Sequence, residues 1–161
     1  RYHTRDMAAM SGLGKKLPVW STFMIIFCLA SVGLPGLNGF VGEFLTLLGA
    51  FIATDHLGPI YAVVAALGVI FAAIYILYMV GRVVFGPVKE PAEYAGRVKD
   101  LNAREIAVLT PLALACFWLG LFPTPMLRSF EAPVAALTAP AKLVLEERAG
   151  AGDDRRGGTE T

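Results

Sequence analysis

Glu43 is the one side chain charged at neutral pH between Lys16 and Asp55, in a stretch otherwise made of apolar and small residues. A carboxyl group near mid-membrane costs roughly 2.5 kcal/mol or more to insert, so such residues are retained for a task. The task its chemistry suits is taking up and releasing a proton. Desolvation favours the neutral acid, while a helix N-terminus or a nearby cation favours the carboxylate. A group balanced between those pulls can change protonation within a transport cycle. The competing role is a permanent buried ion pair with a helix of a missing segment or another subunit. Arg82 is the second candidate, at the end of a long apolar run. It either snorkels to the interface as a topology anchor or, if its helix packs on that of Glu43, faces a polar interior as an electrostatic partner of carboxylates. His3 could relay protons near pH 7, although a lone histidine in a polar loop is more simply solvated. Tyr75 and Tyr78 lie on one side of their segment and could add hydroxyls to a proton path, with aromatic packing the plainer role.

The element that must hold Glu43 is odd in length. The apolar stretch from Leu17 to Ile52 has about 36 residues, too many for one membrane span of ~20 and too few for two with a turn. In its middle, Val32-Gly33-Leu34-Pro35-Gly36-Leu37-Asn38-Gly39 sets a proline and three glycines where a helix should be continuous. Pro35 lacks an amide donor and clashes with the preceding turn. These features predict a discontinuous helix over 17–53, with halves at 18–33 and 39–53, Asn38 capping the second half and Glu43 about one turn inside it. Broken helices at membrane depth are tolerated where the freed backbone groups meet protein or water, which is where transporters place their transfer sites. A tight hairpin of two short, re-entrant or tilted segments is the other arrangement that hydropathy allows.

Two further spans follow. Residues 60–86 carry no charge before Arg82, and residues 105–123 open after Arg104-Glu105 and close at Pro123-Thr124-Pro125, with Pro111 expected in the first turns. The segment 124–161 reads as a polar, partly disordered tail. The predicted class is therefore all-α, a polytopic bundle of about three transmembrane spans, the first of them broken. Short cytoplasmic loops collect Lys and Arg. Residues 1–16 and 87–104 do so, whereas 54–59 has neither, so the chain should start inside and finish outside. Trp20 and Trp118 read as interfacial anchors.

Composition agrees. The chain is 56% hydrophobic with a mean hydropathy of +0.61, above the ~45–50% apolar content of soluble domains. Segment 1–16 is polar and mostly basic and lacks the pattern of a cleaved leader, so insertion is expected to rely on the spans themselves. A start in a loop without Met suggests that a longer protein continues upstream. Cys28 and Cys116 sit alone in apolar runs, so neither a disulfide, a metal site nor iron–sulfur ligation is expected. No dinucleotide fingerprint, phosphate loop or nucleophile motif is present, and the basic residues do not interleave with aromatics as on a nucleic-acid surface. The chain is thus expected to bind no cofactor, metal or nucleic acid, and to have the lipid bilayer as a partner.

One set of residues, taken together, is more specific. Tyr2-His3-Thr4-Arg5-Asp6, Gly12-Leu13, Leu34-Pro35-Gly36, Gly39-Phe40-Val41-Gly42-Glu43-Phe44 and Arg82-Val83-Val84-Phe85-Gly86, in this order and spacing over residues 1–130, resemble the C-terminal region of the M-type antiporter-like subunits of NADH:quinone oxidoreductase, or complex I. Their mitochondrial counterparts are NADH dehydrogenase subunit 4. The resemblance implies a proton-translocating membrane subunit of an enzyme complex, built on inverted repeats that each hold a broken helix. It implies no redox centre in this chain, with NADH, FMN, iron–sulfur clusters and quinone bound by partner subunits, and neighbours that include the L- and N-type subunits. It implies a bacterial inner membrane. In the related L and N subunits and in Mrp cation/proton antiporters the broken helix usually carries a lysine, and Glu43 stands in that place here. Glu43 would then be the terminal proton-transfer group, exchanging protons with the side opposite the basic loops, and Arg82 matches a basic position in the next helix. The acidic and lysine groups that complete such a path would lie upstream of Arg1. The alternatives are a subunit of a Mrp-type antiporter or membrane hydrogenase, or an inactive structural fragment.

Overall fold

The structure is a computed structural model that describes residues 2, 6–53 and 57–157, excluding the side chains of 141–157. His3 and Asp55 lie outside the described residues. Every regular element among those described is helical. After a 3-10 turn at Met7–Ala9 come α1 (Leu13–Lys16), α2 (Pro18–Ser31), α3 (Asn38–Ile52), α4 (Pro59–Val84), α5 (Ala103–Leu121) and α6 (Thr124–Gly157).

The break between α2 and α3 is made of two standard turns in series. Helix α2 stops because Gly33 adopts φ 77°, a left-handed conformation that costs glycine little. The Leu34 amide then donates to the Leu29 carbonyl at 3.1 Å and the Gly33 amide to the Ala30 carbonyl at 3.4 Å, the paired bonds of a Schellman helix end. Leu34-Pro35-Gly36-Leu37 follows as a β-turn closed by the Leu37 amide on the Leu34 carbonyl at 3.0 Å. Its second place is proline and its third is Gly36 at φ 94°, as a type II turn requires. Helix α2 ends two residues earlier than predicted because these turns consume residues 32–37, while α3 keeps the predicted length and starts one residue sooner. The N-cap of α3 is Leu37, not Asn38, and no side chain caps it. The turn delivers Leu37 in an extended conformation and buries its side chain to 3% exposure, whereas Asn38 stays exposed in the first turn. Burial of an apolar group, not an amide cap, chose the boundary.

Both halves pack on α4 and α5. Pro18, Ser21, Thr22 and Ile25 of α2 share a cleft with Val84 and Phe85 at the end of α4. Helix α3 finishes at the start of α4, where the Gly58 amide donates to the Ala50 carbonyl at 3.2 Å. The halves therefore run the same way, one after the other along α4, as a discontinuous helix and not as a hairpin. Helix α4 has 26 residues, about 39 Å at 1.5 Å per residue, against a hydrocarbon core of ~30 Å. It and α5 are long and apolar enough to cross a membrane, while α2 and α3 are apolar but individually short.

Helix α5 begins at Ala103, earlier than the expected 105, because Asn102 and Glu105 form a reciprocal capping box. Pro111 consequently falls in mid-helix. The chain divides into two compact units, residues 1–122 and 123–161. The second is helical over Thr124–Gly157, where the sequence reading expects a partly disordered tail.

Candidate functional site

Glu43 lies in the second turn of α3, half-buried. Side chains on a helix lean toward its N-terminus, so the carboxyl group reaches back over the break. There it rests on Gly33. A methyl group built on Gly33 would sit 2.8 Å from the Glu43 carboxyl carbon and 3.2 Å from Oε1, and would collide outright with Oε2. Two more glycines allow the backbone contacts that shape this place. Gly39 packs directly on the Ala30 carbonyl oxygen and joins the two half-helices, while Gly120 of α5 packs on the Gly36 carbonyl and on Leu37, whose Cα would be 2.5 Å from an added methyl.

The electrostatics follow from the helix ends. The last carbonyls of α2 and the first amides of α3 meet at the break, so a partial negative and a partial positive pole face one another beside the carboxyl group. The N-cap residue Leu37 offers these amides no side-chain acceptor. The Thr46 hydroxyl turns to its own helix, donating to the Gly42 carbonyl at 2.8 Å. A carboxyl group poised on an opened backbone can exchange a proton with water or with a neighbouring group reaching the break.

Arg82 lies elsewhere. It is exposed on α4, donates to the Tyr78 hydroxyl at 3.0 Å, and lines a cleft of about 500 Å³ with Met7, Ser11, Phe85 and Lys89. The structure does not bring it into contact with Glu43. Tyr75 is exposed, and Cys28 and Cys116 are free thiols, half-buried. Among the described residues no group of His, Cys, Asp and Glu is arranged to hold a metal ion.

A second polar centre escapes reading from the sequence. Glu90, in the 85–102 connection, is 8% exposed and receives Lys16 Nζ at 2.6 Å on each oxygen, the Tyr2 hydroxyl at 2.9 Å and the Gly96 amide at 3.3 Å. The Lys16 bond is the main reason its carboxyl is held below the usual range, against the opposing effect of burial. Burial, aided by the Glu90 bond, pushes the Tyr2 phenol up to about 12. Ser11 and Lys89 exchange backbone hydrogen bonds at 3.0 and 2.9 Å, and Lys89 Nζ reaches the Ala8 carbonyl at 2.6 Å. Asp100 then caps α2 from outside, accepting from the Val19 and Trp20 amides at 2.8 and 3.0 Å. The connections before α2 and after α4 are thereby clasped at one end of the bundle. Partners 74 to 88 residues apart leave no local signal.

Residues 1–71 match the family described as NADH:quinone oxidoreductase/Mrp antiporter, TM. The chain is 41% identical over 127 residues to NADH-quinone oxidoreductase subunit M of Pseudomonas aeruginosa, which covers 79% of this chain and 23% of that one. It is 42% identical over 125 residues to subunit M of Rhodobacter capsulatus, covering 77% and 23%, and 36% identical over 142 residues to NADH-ubiquinone oxidoreductase chain 4 of Marchantia polymorpha, covering 88% and 28%. Among solved structures it matches a chain of respiratory complex I from Thermus thermophilus with bound NADH, at a TM-score of 0.65 and 37% identity, over 76% of this chain and 24% of that chain. The chain spans about a quarter of the length of the curated relatives it matches.

Proposed function

We propose, from its similarity to subunit M of NADH-quinone oxidoreductase, that this chain forms the C-terminal part of such a subunit and works in proton translocation driven by quinone reduction elsewhere in the complex. It contributes the last broken helix and two final spans. Glu43 takes up and releases the proton, and Arg82 acts on it at a distance through the low-dielectric interior. The redox chemistry, with NADH, FMN, iron–sulfur clusters and quinone, belongs to partner subunits, and the antiporter-like L and N types are its neighbours in a bacterial inner membrane.

The observation that carries this reading is the seat of Glu43. The single charged side chain of an apolar broken helix has its carboxyl group on the break, where two helix poles meet. The experiment replaces Glu43 by Gln in the complete subunit within its assembled complex. Proton pumping per quinone reduced should fall clearly below that of the wild-type complex, with assembly intact, because the amide can neither take up nor release a proton. Normal pumping by an assembled Glu43→Gln complex would end the proposal.

The matched family also includes Mrp antiporters, which favours one second reading. Sodium-dependent proton exchange by the native assembly, with no NADH-oxidising partner attached, would select it.

A further inference from the structure

We propose that Gly33 is a positioning residue for Glu43, its bare Cα forming the seat on which the carboxyl group rests. This rests on the reading of Glu43 as the proton-transfer group. Gly33 meets two separate demands. Its φ of 77° ends α2, and the space where a side chain would stand is already filled by the Glu43 carboxyl group.

Gly36, three residues on, separates these demands. Its φ is 94°, so it carries the same conformational requirement, but a methyl group added there would meet only Leu121 Cδ2 at an ordinary 3.9 Å. Alanine at Gly36 strains the backbone and leaves Glu43 alone. Alanine at Gly33 strains the backbone similarly and evicts the carboxyl group. The carboxyl carbon is 2.8 Å from that methyl group and Oε2 closer still, so the end of the Glu43 side chain has to shift. That shift is inexpensive for a flexible side chain, and it moves the carboxyl group off its seat on Gly33. Shortening Glu43 to Asp withdraws the carboxyl group by one methylene and makes room again.

The experiment uses the complete subunit in its assembled complex, with four variants: Glu43→Gln, Gly33→Ala, Gly36→Ala and Gly33→Ala combined with Glu43→Asp. Two properties are read, proton pumping per quinone reduced and the carboxyl band in the infrared difference spectrum between acid and neutral pH, assigned by its loss in Glu43→Gln. Gly33→Ala should move the band and lower pumping, Gly36→Ala should leave the band in place, and the double variant should pump better than Gly33→Ala alone. A Glu43 band unmoved by Gly33→Ala, or moved equally by Gly36→Ala, overturns the proposal. Should Gly33→Ala prevent assembly while Gly36→Ala permits it, recovery of assembly in the double variant supports the steric seat and continued failure overturns it. If Glu43→Gln pumps normally, the proton-transfer reading falls, while the band in Gly33→Ala still decides whether Gly33 seats the carboxyl group.

Discussion

At the scale of single residues, the carboxylates of this chain divide by surroundings. Glu43 has its carboxyl group at a backbone break in an apolar segment, whereas Glu90 is saturated by Lys16, Tyr2 and Gly96. The second arrangement predicts a pH dependence. Because Glu90 is held below its ordinary value of 4.5, its contribution to stability is complete above that value and is lost as pH falls through the lower folded value. Tyr2 mirrors it: with its phenol raised to about 12, its contribution is intact below the ordinary 10.0 and disappears as pH rises through 12. Thermal unfolding of the detergent-solubilised protein should therefore show a gap between wild type and Glu90→Gln at neutral pH that closes in acid. A gap independent of pH would refute the ion-paired assignment. The apolar surroundings of Glu43 were legible in the sequence, since no other charged residue lies between Lys16 and Asp55. Glu90 was not, because it sits in an unremarkable polar loop and its importance comes from partners brought in by folding.

At the scale of elements, contacts that admit no side chain hold the broken helix to its neighbours. Gly120→Ala would push α5 off the Gly36 carbonyl and Leu37, and it should cost about 1–3 kcal/mol, the usual penalty of overpacking. Gly49→Ala, on α3 with open space around it, is the matched control and should be neutral or slightly stabilising in denaturant or heat titrations. At the other end, Asp100→Ala removes the acceptor for two α2 amides and should destabilise by about 0.5–2 kcal/mol, as for a lost N-cap. Equal effects at Gly120 and Gly49 would refute the close-packing account. The break itself could be read from Gly33-Leu34-Pro35-Gly36, whose residue types suit a helix end followed by a turn. Its limits could not, since Leu37 takes the cap position by burial against a helix more than 80 residues later.

At the scale of the whole molecule, the large apolar side chains along α4 remain open to their surroundings, with Ile60 77% and Phe71 67% exposed. Such a surface requires lipid or further protein to cover it. The connections before α2 and after α4 share one end, where their basic residues gather, and Ala53, Leu57 and Gly58 lie at the other. With Cys28 and Cys116 replaced, single cysteines placed at Arg97 and at Leu57 should be labelled by an impermeant thiol reagent from opposite faces, Arg97 from the cytoplasmic one. Labelling of both from one face would rule out this threading.

The sequence by itself determined the helical class, the membrane setting, the interruption at Pro35 and the isolation of Glu43, because each depends on local composition: hydropathy over a span, the dihedral demands of Gly and Pro, and the placing of a lone charge in apolar surroundings. Only the tertiary structure decided that the two half-helices run end to end along α4, that Gly33 lies under the Glu43 carboxyl group, that Arg82 bonds Tyr78 and does not touch Glu43, and that Glu90 and Asp100 tie the loops together. Those depend on residues that meet because helices pack, and the backbone distances that make a glycine indispensable do not exist until they do.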